Sequence, residues 1–600
     1  MIDFSRREIW TASAAVAVAL ATRPVGAANP QPSAGSEDWI ELEVAFKETI
    51  IDGHRVRQRA YNGQVPGPTM TVVPGQTLRV RLKNNLPPYD SSQWGGDHNV
   101  PHGLDQTNLH VHGLDVIPHI FEPVGTSDPM APQIVIKPGD QKEYVFEIPK
   151  DHPPGLNFYH PHKHGATTVQ VITGMAGAII VRGAIDEVPE IKAAREIPLV
   201  VQDVGLFPSE TDPNLWTYEP VQNAMWQTFG GYVTIKGERT KLRGGFTTGD
   251  YQLRYFLLNG QAFYRETHND KPGEAQDPVG AQLPVQRFQM APGEVVRFRM
   301  LNGASDNMMP IIVDGHDVHQ IAMDGVNFPA VRTIPARPSG DMSAQILLAS
   351  ANRSDFLVKA SSTPGIYRIR QLAQNQQFLV SAEKIIAEIE VTGPPKDMAL
   401  PDKLPIPERL YPLIQPSEIR RIRVIQFTGT TPALINTTVG GDYLINNAIY
   451  AEEEVPIVVN LNDAEEWHLS VGMSHAGGIE GHPFHIHVNP FEVISINGVA
   501  QPPGTIQDTV WVPPEGVVVV RMRFKEWTGK SVFHCHILPH EDVGMMQNFL
   551  ILGPEKAGHA ASHASSSKAG AFTTSIRSVE SMTANTSTTQ PPVWPICTSR

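Results

Sequence analysis

"AYNGQVPGPTMTVVPGQTLRVRLKNNL", Ala60 to Leu86, sets the architecture. Asn62-Gly63 and Pro74-Gly75 are turn dipeptides. After the second, Leu78, Val80 and Leu82 alternate with Arg79, Arg81 and Lys83, the period of a half-buried strand. The same order returns in "FLLNGQ" (Phe256–Gln261) with "QRFQMAPGEVVRFRMLNG" (Gln286–Gly303). A weaker copy is "YLINNAIY" (Tyr443–Tyr450) with "VPIVVNLNDAEEWHLSV" (Val455–Val471). Three copies predict an all-β chain of three β-sandwich domains, at 37–185, 190–395 and 405–554. The proline-dense stretch "TGPPKDMALPDKLPIPE" (Thr392–Glu408) reads as the linker between the second and third.

Composition agrees. Among 600 residues there are 52 prolines and 49 glycines, and only 18% are charged. The net charge of −14 excludes nucleic acid as an expected partner. The N-terminus reads as an export signal over 1–28. Arg6 and Arg7 precede the apolar run Ala12–Ala21 and small residues around Val25–Asn29, the order of a twin-arginine signal. That run is too short to span a membrane, so no stable membrane insertion is expected, and the location is periplasmic or secreted. From 555 to 600 the Ser/Thr/Ala-rich composition predicts a disordered tail.

The chemistry lies in histidines. They fall in "HVHG" (His110, His112), "FYHPHKHG" (His160, His162, His164), "HPFHIH" (His482, His485, His487) and "HCHILPH" (His534, His536, His540). Four His-x-His pairs put eight imidazoles on four strands, each pair on one face and roughly 6–7 Å apart. That spacing suits a close cluster of metals. The other cysteine, Cys597, lies in the tail, so Cys535 has no patterned disulfide partner. Flanked by His534 and His536, its sulfur must face the opposite side of its strand. Cys535, His482 and His540, with a methionine beyond, form a His₂Cys set with a weak axial thioether, which is a blue-copper centre. His316 and His319 fall in the second domain, which lacks such a cluster, and read as structural.

These four motifs resemble those of the multicopper oxidases, the family of laccases, ascorbate oxidase, bilirubin oxidases and metallo-oxidases. The resemblance covers nearly the whole mature chain. It implies three cupredoxin-like Greek-key domains and four coppers: one type 1, one type 2 and two type 3. By motif, His482, Cys535 and His540 match type 1 ligands, with Met545 axial and Met546 in packing. His110 and His485 match type 2 ligands. His112, His160, His162, His487, His534 and His536 match type 3 ligands. The resemblance also implies O₂ as a partner and an acid near the cluster, for which Asp115, Asp128 and Glu541 are candidates; Glu541 could equally make a surface salt bridge. Val111 stands where many members have Trp, and an insert runs from Leu114 to Pro129. His164 has no ligand role in the family.

The implied reaction is a laccase-like oxidation of phenols or aromatic amines, entering on the solvent side of His482 and coupled to reduction of O₂ to water. The alternatives are a metallo-oxidase for Cu(I) or Fe(II), a bilirubin oxidase and a copper-free cupredoxin scaffold. The 17 methionines are scattered, without the Met-rich insert of many copper-tolerance members. Every ligand position is filled, which argues against the scaffold.

Overall fold

The computed structural model describes residues 39–553, apart from 89–97, 100–101, 210, 219–231, 236–237, 242–250, 268–278, 339, 342, 377–378, 430–442 and 473–479. The expected export signal, the expected disordered tail and Cys597 lie outside the described residues. The described chain is mostly β-strand, with a few single-turn helices.

Local sequence explains the strands. In Thr77–Asn84 every second residue is buried, so Leu78, Val80 and Leu82 face the core and the cations face water. Asn62 and Gly63 both take positive φ, +51° and +64°, which closes the turn after His54–Tyr61.

The first sandwich packs a sheet containing Gln141–Glu147, Thr77–Asn84, Ile40–Ile51 and His54–Tyr61 against a second one. This opposing sheet orders Gly67–Val72, Gly177–Val181, Gly155–His160 and His110–His112. The core between them includes Val44, Leu82, Val111 and Tyr159.

The larger sheet does not stop at that unit. Leu215–Thr217 pairs with both His54–Tyr61 and Arg195–Pro208, and the latter pairs with Val295–Asn302. One 13-stranded sheet therefore runs through the first two sandwiches, where the sequence suggests separate ones. The proline-rich stretch packs against the second sandwich. Met398, Leu400 and Leu404 pack with Ile191, Val295 and Leu357, because its apolar residues find a groove beside the second sandwich.

The third sandwich opposes a seven-stranded and a five-stranded sheet. The latter orders Ile457–Asn460, Met546–Leu552, Gly529–Cys535, His482–Ile486 and Thr509–Val512. Trp467, Phe484 and Phe533 are fully buried in its core. Each such phenylalanine contributes roughly 1.5–3 kcal/mol of apolar burial, which holds the strands beside it in fixed register.

Candidate metal centre

Register brings the motifs together. His485 pairs with His534 and Phe484 with Cys535 across two strands of the third sandwich. His110 pairs with His160 in the first. The ends of these strands face each other, and eight imidazoles meet in one buried space. His110 stacks on His487 and His112 on His485, both with ring centres 3.8 Å apart. His112, His160 and His536 form one triangle, with ring centres 5.1–5.8 Å apart. His162 Nε2 and His487 Nε2 lie 3.1 and 3.3 Å from His534 Nε2.

The outer hydrogen bonds fix which nitrogen points inward. His160, His485 and His534 donate from Nδ1 to the carbonyls of Pro161, Asp508 and Cys535. Each leaves its Nε2 as a lone pair. His119 donates from Nδ1 to the Ile117 carbonyl, and its Nε2 accepts the Val111 N–H and lies 3.2 Å from His110 Nδ1. His112 is reversed: its Nε2 donates to Asp508 Oδ1 over 3.1 Å, leaving Nδ1 inward. His110 Nε2, His112 Nδ1, His160 Nε2, His485 Nε2 and His536 Nε2 have no hydrogen-bond partner among the described residues. Burial holds all eight imidazoles below their ordinary pKa, His160 at about 3 and His534 at about 4. Neutral rings with converging, unpaired nitrogens fit a metal cluster, since lone pairs this close repel without a cation among them.

Cys535 faces the other way. Its Sγ lies 3.5 Å from His482 Nδ1 and 3.7 Å from His540 Nδ1, and all three side chains are buried. Met545 sits in the same core as Cys535, and its carbonyl accepts the Cys535 N–H. Met546 packs elsewhere, with Ile120, Phe121, Tyr450 and Val532. Thiol, two imidazoles and a nearby thioether fit copper. Burial pushes the thiol pKa up, so a bound cation is what would stabilise a thiolate here.

The acids sort differently from the sequence expectation. Asp128 lies in an exposed turn where its carboxylate accepts the Met130 N–H, so it is not among the groups gathered at the histidines. Asp115 is buried but bound by the Arg409 guanidinium, and burial raises its pKa to about 6. Glu541 is fully buried, not a surface salt bridge. Its Oε1 lies 3.4 Å from His162 Nδ1 and its Oε2 3.7 Å from His534 Nδ1. Burial and the neighbouring Asp542 push its carboxyl well above the usual range. His164 is also buried, bonded to Asn99 and packed on Tyr450. His316 and His319 bond to the Asp314 carbonyl, the Ser361 N–H and the Thr333 hydroxyl.

Three residues at the site carry no motif signal. Asp508 touches His112 and His485, His119 orients His110, and Tyr443 stacks on His540 at 3.9 Å. Beyond His540 lies Glu480, its Oε1 3.7 Å from Nε2 and its pKa raised by burial to about 8. Buried His540 faces this carboxyl, while the sequence expectation puts substrate entry at His482.

Three models described as multicopper oxidase match residues 43–185, 250–387 and 421–554. A multicopper oxidase of Staphylococcus haemolyticus is 24% identical, over 81% of this chain and 82% of its own. A laccase of Haloferax volcanii is 25% identical over 92% of each chain. Among solved structures, a multicopper oxidase from Campylobacter jejuni described as a metallo-oxidase has a TM-score of 0.60 at 22% identity, covering 86% of this chain and 92% of that one. A laccase-like multicopper oxidase from Ochrobactrum sp. has 0.61 at 20%, covering 87% and 98%. Among the described residues no helix is long and apolar enough to cross a membrane.

Proposed function

The chain belongs to the multicopper oxidase family, copper-dependent oxidoreductases that use O₂ and a reducing substrate, and on that premise we propose that it is an exported, laccase-like oxidase of phenols or aromatic amines. The observation that carries this reading is the pair of donor sets on the two sides of one strand, at Cys535 and at His534/His536. His482, Cys535 and His540 would hold type 1 copper, with the Met545 thioether as a further, weaker donor. His110 and His485 would hold type 2 copper. His112, His160 and His536 would hold one type 3 copper, and His162, His487 and His534 the other. Bound copper supplies one-electron oxidation at the first site and four-electron reduction of O₂ to water at the second.

The residues do the rest. Cys535 is covalently joined to His534 and His536 by one peptide each, so few bonds separate the two sites. The buried walls exclude bulk water. Glu541 holds a proton at its carboxyl beside His162, placed to deliver it to oxygen as that oxygen is reduced. Glu480 lies 3.7 Å from His540 Nε2, and with its carboxyl pushed up to about 8 it would accept a phenolic proton only where the pH nears or exceeds that value.

Glu480 also favours a second reading. A buried carboxylate beside His540 could hold Cu(I) or Fe(II), as a metallo-oxidase requires. Steady-state O₂ uptake decides between the two, with a phenol, an aromatic amine, bilirubin, Fe(II) and Cu(I) under one set of conditions. The laccase-like reading expects the highest kcat/KM for phenol or amine. Preference for either metal ion would move the assignment to metallo-oxidase, and preference for bilirubin would move it to bilirubin oxidase.

A further inference from the structure

The second sandwich contributes no histidine to either donor set, yet one of its side chains reaches the larger one. Arg353 begins the strand Arg353–Lys359 and is fully buried. Its guanidinium forks onto Asp508, with Nη1 to Oδ1 at 2.8 Å and Nη2 to Oδ2 at 2.6 Å. Its remaining donors go to the Leu156 and Ala351 carbonyls and to Asn157 Oδ1. The base of the fork is also fixed. Asp324 accepts the Arg353 and Thr509 N–H groups and both bonds from the Asn352 amide, which shares itself with the Thr509 carbonyl.

Asp508 passes this constraint on. Its Oδ1 takes the His112 Nε2–H and its carbonyl takes the His485 Nδ1–H. Thr509 Oγ1 donates to the same Oδ1 at 2.9 Å. The unpaired atoms of the two rings are then His112 Nδ1 and His485 Nε2, which face the shared space. Asp508 has oxygen close enough to His112 and His485 to complete a metal site of its own. With both oxygens held by the guanidinium, it is a poor competing ligand.

We propose that Arg353 is a positioning residue for the histidine cluster: it locks the Asp508 carboxylate as a hydrogen-bond acceptor, which sets the tautomer of His112 and keeps the carboxylate off the metal beside His112 and His485. The second sandwich thereby takes part in assembling a site that the first and third supply. The inference rests on the copper assignment above. Partners of this kind typically change metal affinity by 10–100-fold.

The test uses full-length Arg353→Lys, Asp508→Asn and the double variant. Lysine keeps the charge but loses the two-pronged geometry. Copper per chain, the blue absorption and the type 2 electron paramagnetic resonance spectrum are measured, with circular dichroism of the copper-free proteins as the fold check. The expected result is that each single variant keeps its fold and its blue copper. Cluster copper affinity falls about 10–100-fold, the type 2 spectrum is altered, and the double variant is no worse than either single one. Unchanged affinity and spectrum in Arg353→Lys would overturn the proposal. So would additive losses, or equal loss of blue and cluster copper, which would mark Arg353 as a domain-docking residue only. Should Arg353→Lys fail to fold, Asp508→Asn decides alone, and a wild-type type 2 spectrum there refutes it. A wild-type protein that takes no cluster copper would instead defeat the function assigned above.

Discussion

At the scale of single residues, alternation along a strand decides what each side chain can do. Cys535 and its two histidine neighbours face opposite sides, so one tripeptide serves two sites. Cys535→Ser should abolish the blue colour and oxidase activity and leave the fold largely intact, as absorption and circular dichroism would report. The methionines divide in the same way, with Met545 in the core of Cys535 and Met546 in another. A thioether is a weak axial donor, so its removal favours Cu(I). Met545→Leu should therefore raise the type 1 potential in a redox titration, and Met546→Leu should leave it in place. A shift of about 60 mV is roughly tenfold in the equilibrium constant of this one-electron couple.

At the scale of elements, the turn after His110–His112 shows what the sequence carries and what it hides. The His-x-His pairs are legible because strand periodicity is local. Asp508 and Arg353 are not, since each meets its partners only through tertiary packing: Asp508 lies 396 positions from His112, and Arg353 lies 155 from Asp508. Composition likewise could not tell that Glu541 is buried, or that Asp128 stays in an exposed turn. Gly113 is where these levels meet. Its φ is +87°, and a Cβ there would lie 2.2 Å from Arg353 Nη2 and 2.4 Å from Asn157 Oδ1. Only glycine allows the guanidinium this close. Gly113→Ala should cost about 1–3 kcal/mol in backbone strain, with steric displacement of Arg353 added. Denaturant unfolding should show the loss. Copper analysis should show cluster copper falling while blue copper stays.

At the scale of the whole molecule, three copies of one turn-and-strand pattern were enough to read an all-β, three-sandwich chain. The continuity of one sheet across the first two sandwiches was not legible, because it depends on Leu215–Thr217 bridging two distant strands. Burying so many neutral histidines also gives the copper-free protein a defined acid sensitivity. His152 is an example outside the cluster. Burial lowers its pKa from 6.5 to about 4, and its Nε2 accepts the Asp115 N–H. The folded form resists a proton that the unfolded chain accepts. Its contribution is full above pH 6.5 and is lost as the pH falls toward 4, at about 1.4 kcal/mol per pH unit. Unfolding free energy measured against pH should fall over that window, and His152→Gln should make the slope shallower by about one proton. The two donor sets that share one strand should both hold copper. An anomalous-difference map collected at the copper edge from copper-loaded crystals tests it most directly. Four peaks are expected, one among His482, Cys535 and His540 and three enclosed by the eight histidines of the cluster. No peak at Cys535, or a cluster space without copper, would contradict it.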